Sequence, residues 1–165
     1  MHGAQGLAGW FRASYAAQAK KFPPAKGTIM GFRLSHIPLR LATGAFILNS
    51  GLGKTSLDEG SAGYLQAMAS RAFPQLSQLE AQQFGKFLAA SEIALGSALL
   101  APFVPSRVAG LGLLAFSAGM MTMYLRTPEL TMEDGIRPTQ DGVALAKDSW
   151  MVGIALSLLL DGKKK

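Results

Sequence analysis

The 165-residue chain contains no cysteine, only two histidines and few charged residues, which make up 16% of the sequence. The absence of cysteine excludes disulfides, thiolate metal sites and thiol redox chemistry. His2 and His36 stand at no ligand spacing from each other, so we predict neither a metal site nor a haem pair. No known motif supplies a catalytic residue either, and the expected class is therefore a non-catalytic protein.

Long apolar runs are abundant instead. Each is about as long as the roughly 30 Å hydrocarbon core of a bilayer at 1.5 Å per residue. High glycine content, 19 residues, and a mean hydropathy of +0.24 suit helices that pack closely in lipid. We predict an all-α fold, an integral membrane four-helix bundle over residues 35–161. Its spans are Ile37–Gly53, Phe84–Val104, Val108–Leu125 and Val143–Leu160.

Basic residues gather on one side of this predicted topology. The side with both termini and the 102–107 turn holds Arg12, Lys20, Lys21, Lys26, Arg33, Arg40, Arg107, Lys163, Lys164 and Lys165, with Asp161 as its one acid. The positive-inside rule then places both termini in the cytoplasm. This distribution accounts for the net charge of +6 without nucleic acid, for which no aromatic and basic platform is present.

Three of the segments outside the spans have predicted roles of their own. Within residues 1–34, a cytoplasmic segment, the apolar spacing of Ala4–Lys21 predicts an amphipathic helix on the membrane surface or against a partner subunit. Residues 55–83 contain a weaker amphipathic stretch, broken by Pro74, that we expect to cap the bundle outside the cytoplasm. Residues 162–165 form a basic tail suited to anionic headgroups.

Glu92 is the polar residue of most interest, because an isolated charge near the middle of a span is costly and needs a partner. Counting 1.5 Å per residue from the cytoplasmic helix ends places polar groups of all four spans at about one depth. We predict a candidate binding site in this polar layer, which comprises Asn49, Glu92, Ser117, Lys147, Asp148 and Ser149.

Within this layer the expected ion pair is Glu92 with Lys147. Lys54 is a competitor from above and otherwise marks the membrane interface, while Arg40 is expected to extend toward the headgroups. One interpretation is a proton-linked or quinone-headgroup site. The other is an interhelical ion pair that fixes helix register. A further expectation concerns small residues at close helix contacts, namely Gly44, Gly51, Gly96, Gly110, Gly112 and Gly119.

Several short runs resemble a known family. They are Arg40-Leu-Ala-Thr-Gly44, Asn49-Ser-Gly51-Leu-Gly-Lys54, Glu92-Ile-Ala-Leu-Gly96, the proline turn before Arg107, and Lys147-Asp148. Over residues 33–160 the chain resembles the DoxX-like family of small four-helix bacterial membrane proteins. The resemblance implies a bacterial inner membrane and a membrane subunit beside a separate catalytic part, in some members linked to quinone-dependent oxidation of sulfur compounds. It carries over no catalytic residues.

Three functions remain open. The first is a non-catalytic accessory subunit that assembles with and stabilises a larger membrane complex for transport, including lipid transport, or for redox chemistry. The second is a quinone-interacting membrane subunit of an oxidoreductase system, with Glu92 and Lys147 near the headgroup. The third is a binder of a small hydrophobic molecule or lipid. The lack of cysteine, usable histidine and catalytic motifs favours the first, and quinone is the one cofactor considered.

Overall fold

The computed structural model describes residues 28–29 and 32–160. The predicted amphipathic helix Ala4–Lys21 and the basic tail 162–165 lie outside the described residues. Two-residue antiparallel strands, β1 (Thr28–Ile29) and β2 (Phe32–Arg33), precede the helices. The prediction of an all-α fold is confirmed over the described residues. The helices are α1 (His36–Gly53), α2 (Glu59–Ala72), α3 (Ala81–Leu100), α4 (Ser106–Leu125), α5 (Val143–Ala146) and α6 (Ser149–Leu160).

The long helices pack as two pairs. α1 lies along α3, and α4 lies along α6, while contacts between the two pairs are sparser. A compact apolar core joins the pairs, and its fully buried members include Ile47 of α1, Leu99 of α3, Leu113 of α4 and Leu158 of α6. Full burial of such a side chain stabilises a fold by about 1.5–3 kcal/mol. The helix α2, which was predicted as an amphipathic cap, packs on α3.

Glycines set the spacing within the α1–α3 pair. A Cβ atom at Gly96 would lie 2.5 Å from the backbone nitrogen of Leu48, and one at Gly51 would lie 2.8 Å from that of Ile93. Backbones this close leave no room for a side chain between the helices. The expected close contacts are confirmed here and at Gly44, Gly110 and Gly112, but the expectation is wrong for Gly119, which faces open space.

Arg40 is buried and fixes the end of α3. Its guanidinium donates to the carbonyls of Leu99 (2.8 Å), Ala98 (2.9 Å), Ala101 (2.8 Å) and Val104 (2.9 Å), and only 2% of the residue is exposed. The last carbonyls of a helix have no intrahelical donor, so a five-donor fork can satisfy several at once. The expectation that Arg40 extends to the headgroups is therefore wrong.

The last predicted span is interrupted. Between α5 and α6 the amide of Asp148 donates to Leu145 and that of Met151 donates to Asp148, both three residues back instead of four. This tighter turn separates Lys147, which is exposed, from Asp148, which is half-buried on the inner side. The sequence-based extension of one continuous helix through both residues is thus too simple.

Two helical segments are long and apolar enough to cross a membrane, namely Ser106–Leu125 and the combined α5–α6 segment Val143–Leu160. α1 and α3 have similar lengths, 18 and 20 residues, but contain more polar side chains. The coarse expectation of membrane-spanning helices thus holds for two of the four predicted spans.

Candidate functional site

A cavity of about 820 Å³ lies between the two helix pairs. α1 and α3 line one side, α4, α5 and α6 line the other, and α2 with the loop 127–142 lines one end. We call it the inter-pair cavity. Its surface is mostly apolar, with side chains that include Phe46, Leu65, Phe84, Leu88, Phe116 and Met120. A concave, largely apolar space with a few polar groups is the usual form of a small-molecule site.

A buried ion pair forms part of the cavity wall. The Lys54 ammonium lies 2.9 Å from the Glu92 carboxylate, and the two side chains are 22% and 3% exposed. The same ammonium donates to the Ser50 hydroxyl at 2.6 Å and approaches the Ser50 carbonyl at 3.5 Å. An ammonium has three donors, so all three point to partners within the protein.

The local fold explains why Lys54 reaches Glu92. Lys54 stands directly after the last residue of α1, and helical side chains lean toward the N-terminus of their helix. Its long stem therefore runs back over Ser50, one turn earlier. Because Gly51 presents no side chain, α3 approaches closely, and a Cβ at that position would lie 2.9 Å from the Glu92 Cβ.

The prediction of a Glu92–Lys147 ion pair is wrong. Glu92 is paired with Lys54, and Lys147 is exposed at the step between α5 and α6. Depth counting along straight helices did not include the backward reach of a lysine at a helix end. The i,i+4 spacing of Ser50 and Lys54 beside Gly51 was the signal that could have identified this partner.

Asp148 is the second carboxylate of the cavity. It lines the same space as Lys54 and Glu92. Within residues 28–29 and 32–160, no donor group hydrogen-bonds to the Asp148 side chain. Of the predicted polar layer, the structure thus brings Glu92 and Asp148 together at the cavity.

The remaining residues of the predicted layer do not line the cavity. Asn49, Lys147 and Ser149 are exposed. Ser117 is fully buried, but its hydroxyl donates to the carbonyl of Leu113 in its own helix at 2.7 Å. These four polar groups share an approximate depth along their helices without sharing a face, because depth counting specifies height and leaves the rotation of each helix undetermined.

Charged residues also line the end of the cavity at α2 and the loop 127–142. Arg71 of α2 lies 2.6 Å from Glu129 of the loop 127–142, and both line the cavity together with Asp141. The loop itself is ordered by a carboxylate: Asp134 accepts hydrogen bonds from the Arg137 side chain and from the amides of Ile136 and Arg137, which lower the Asp134 pKa to about 2. The sequence alone did not identify this loop as part of the site.

Comparison with known proteins adds no family to this geometry. No family model, no curated protein and no solved structure matches the chain. The cavity and its residues are therefore the only basis for a functional proposal.

Proposed function

We propose that this chain is an integral membrane protein that binds a small amphipathic molecule in the inter-pair cavity. The observation that carries the proposal is the cavity itself, about 820 Å³ of mostly apolar surface with the Lys54–Glu92 pair and Asp148 in its wall. Apolar walls favour the hydrocarbon part of a ligand, and the few charged groups select and orient its polar part.

Burial within the helices supports a membrane location. In the apolar windows of α4 and of Val143–Leu160, only 28% and 17% of the residues are buried inside the protein. A core helix of a soluble protein would be mostly buried. Large apolar side chains on α1 and α3, including Leu41, Leu52 and Phe87, are exposed as well. Such surfaces suit contact with lipid or with a partner. We therefore propose that all four predicted spans form a membrane bundle. The DoxX-like resemblance implies that the membrane is a bacterial inner membrane.

The other expectations from the sequence stay predictions beside this proposal. An accessory role in a larger membrane complex is compatible with a bound ligand, since the exposed apolar faces accept a partner helix as readily as lipid. A quinone is one hydrophobic occupant of suitable character. However, its carbonyls need donors, and the three donors of Lys54 are directed at Glu92 and Ser50.

Native mass spectrometry of the full chain tests the proposal. Ala67 lines the cavity and is exposed, so the change Ala67→Trp places an indole in the space without disturbing a packed core. Ala90→Trp is the matched control, because Ala90 is exposed on α3 and does not line the cavity. We expect the wild-type chain and the control to carry a non-covalent adduct of defined mass, and the Ala67→Trp variant to lose it. Equal adducts in all three proteins would contradict the proposal.

A further inference from the structure

The charges that line the inter-pair cavity are unbalanced. Two basic residues, Lys54 and Arg71, stand against four acidic ones, Glu92, Glu129, Asp141 and Asp148. Both basic residues are already used, since Lys54 pairs with Glu92 at 2.9 Å and Arg71 pairs with Glu129 at 2.6 Å. Within the part of the chain that the structure describes, Asp141 and Asp148 have no such partner.

The two unpaired carboxylates differ in depth. Asp141 is exposed in the loop 127–142, whereas Asp148 is half-buried between α5 and α6. A carboxylate in apolar surroundings is costly unless an opposite charge accompanies it. Lys54 cannot serve both carboxylates, because its three donors are directed at Glu92 and Ser50. Within the described residues, the cavity therefore offers an uncompensated negative charge at Asp148 to any positively charged group that enters it.

We infer that the ligand of the inter-pair cavity is a hydrophobic cation, such as an amine or a quaternary onium ion, whose charge lies against Asp148. This inference rests on the proposed function and adds the charge of the ligand to it. Aromatic side chains in the wall strengthen the match, because Phe46, Phe84 and Phe116 line the cavity and aromatic rings attract cations. An anionic amphiphile would meet uncompensated carboxylates, and a neutral one would leave Asp148 without a partner.

Two ions of nearly equal size and opposite charge provide the test. Tetraphenylphosphonium and tetraphenylborate are titrated calorimetrically into the full chain in neutral detergent, with protein-free micelles as the blank. We expect the phosphonium to bind at least about tenfold more tightly than the borate. Asp148→Asn should weaken phosphonium binding by about tenfold or more. Glu133→Gln removes the same charge from an exposed residue outside the cavity and should leave binding unchanged.

The outcomes separate this inference from the proposed function. Borate binding as tight as phosphonium binding, or unchanged phosphonium binding in Asp148→Asn, overturns the cationic ligand. The proposed function then stands if Ala67→Trp still removes the native adduct, and a quinone adduct would identify a neutral ligand. If neither ion binds and Ala67→Trp changes nothing, both proposals fail. Should Asp148→Asn not fold, Asp141→Asn takes its place, with a smaller loss of phosphonium binding expected and an unchanged affinity contradicting the inference.

Discussion

The two ends of α1 place basic side chains in contrasting surroundings. Near its start, Arg40 is 2% exposed and donates to neutral groups that include the carbonyls of Leu99 and Ala98 at the end of α3. Directly after its end, the Lys54 side chain is 22% exposed and pairs with a carboxylate that borders a cavity. The first arrangement is enclosed and completes the backbone hydrogen bonds of a helix. The second borders the inter-pair cavity, so the two cations of α1 differ in their access to the space in which we propose a ligand.

The largest effect is expected at the enclosed end. Arg40→Met leaves several carbonyls near the end of α3 without their donor, and an unsatisfied buried group costs about 1–3 kcal/mol. We expect the free energy of unfolding to fall by at least about 3 kcal/mol, measured by thermal unfolding in detergent. Arg40→Lys, which keeps the charge but loses the fork, should recover only part of this loss. A melt like that of the wild type would show that the guanidinium is not structural.

At the open end, Lys54→Met leaves the buried Glu92 carboxylate without its partner. Such a change costs about 3–5 kcal/mol in a fully buried pair. Because Lys54 is partly exposed, we expect the free energy of unfolding to fall by about 3 kcal/mol. The double variant Lys54→Met with Glu92→Gln removes both charges and should recover much of the stability. If the double variant melts as low as the single one, the ion pair is not the source of the loss. Thermal unfolding of the three proteins side by side decides this.

A smaller effect on stability is expected at the close contact between α1 and α3. Gly96→Ala places a methyl group 2.5 Å from the Leu48 nitrogen, and the helices must separate at a cost of about 1–3 kcal/mol. Gly119→Ala is the matched control, because nothing lies within 4 Å of the added carbon. It should leave stability unchanged or raise it by about 0.5–1 kcal/mol through helix propensity. Equal effects of the two changes would contradict the close α1–α3 contact.

The smallest effect is expected for the exposed pair Arg71–Glu129. Solvent and salt screen exposed pairs, so Arg71→Gln should leave the melting temperature within the scatter of replicate measurements. A clear drop that persists at high salt would place this pair among the structural contacts, beside Arg40, and would remove the contrast between enclosed and open cations.

The positions of the helices could be predicted from the sequence, but the partners of the buried charged side chains could not. The apolar runs predicted α1, α3 and α4 because run length and hydropathy are local properties, and the last run predicted one helix where the structure has α5 and α6. The burial of Arg40 depends on the neighbouring helix. Because α3 ends in Leu99-Leu100 with no basic residue in its last turn, its terminal carbonyls need a donor from another part of the chain. That need was visible in the sequence, although the residue that meets it was not.

The candidate site was predictable in part for the same reason. Glu92 attracted attention as a charge within an apolar run, and Asp148 entered the predicted layer by its depth. The inter-pair cavity itself depends on how far the α1–α3 pair lies from the α4–α6 pair, which no local pattern records. The rotation of each helix also decided that Asn49 and Lys147 face outward.

The proposed function requires that the inter-pair cavity selects a ligand distinct from bulk lipid. The most direct measurement replaces one phenylalanine at a time with the photoreactive p-benzoylphenylalanine and irradiates the full chain in native membranes. Phe116 lines the cavity, while Phe87 is exposed on α3 outside it. We predict that position 116 captures a small molecule of a single mass and that position 87 captures bulk phospholipid. The same phospholipid mixture at both positions would contradict a selective cavity.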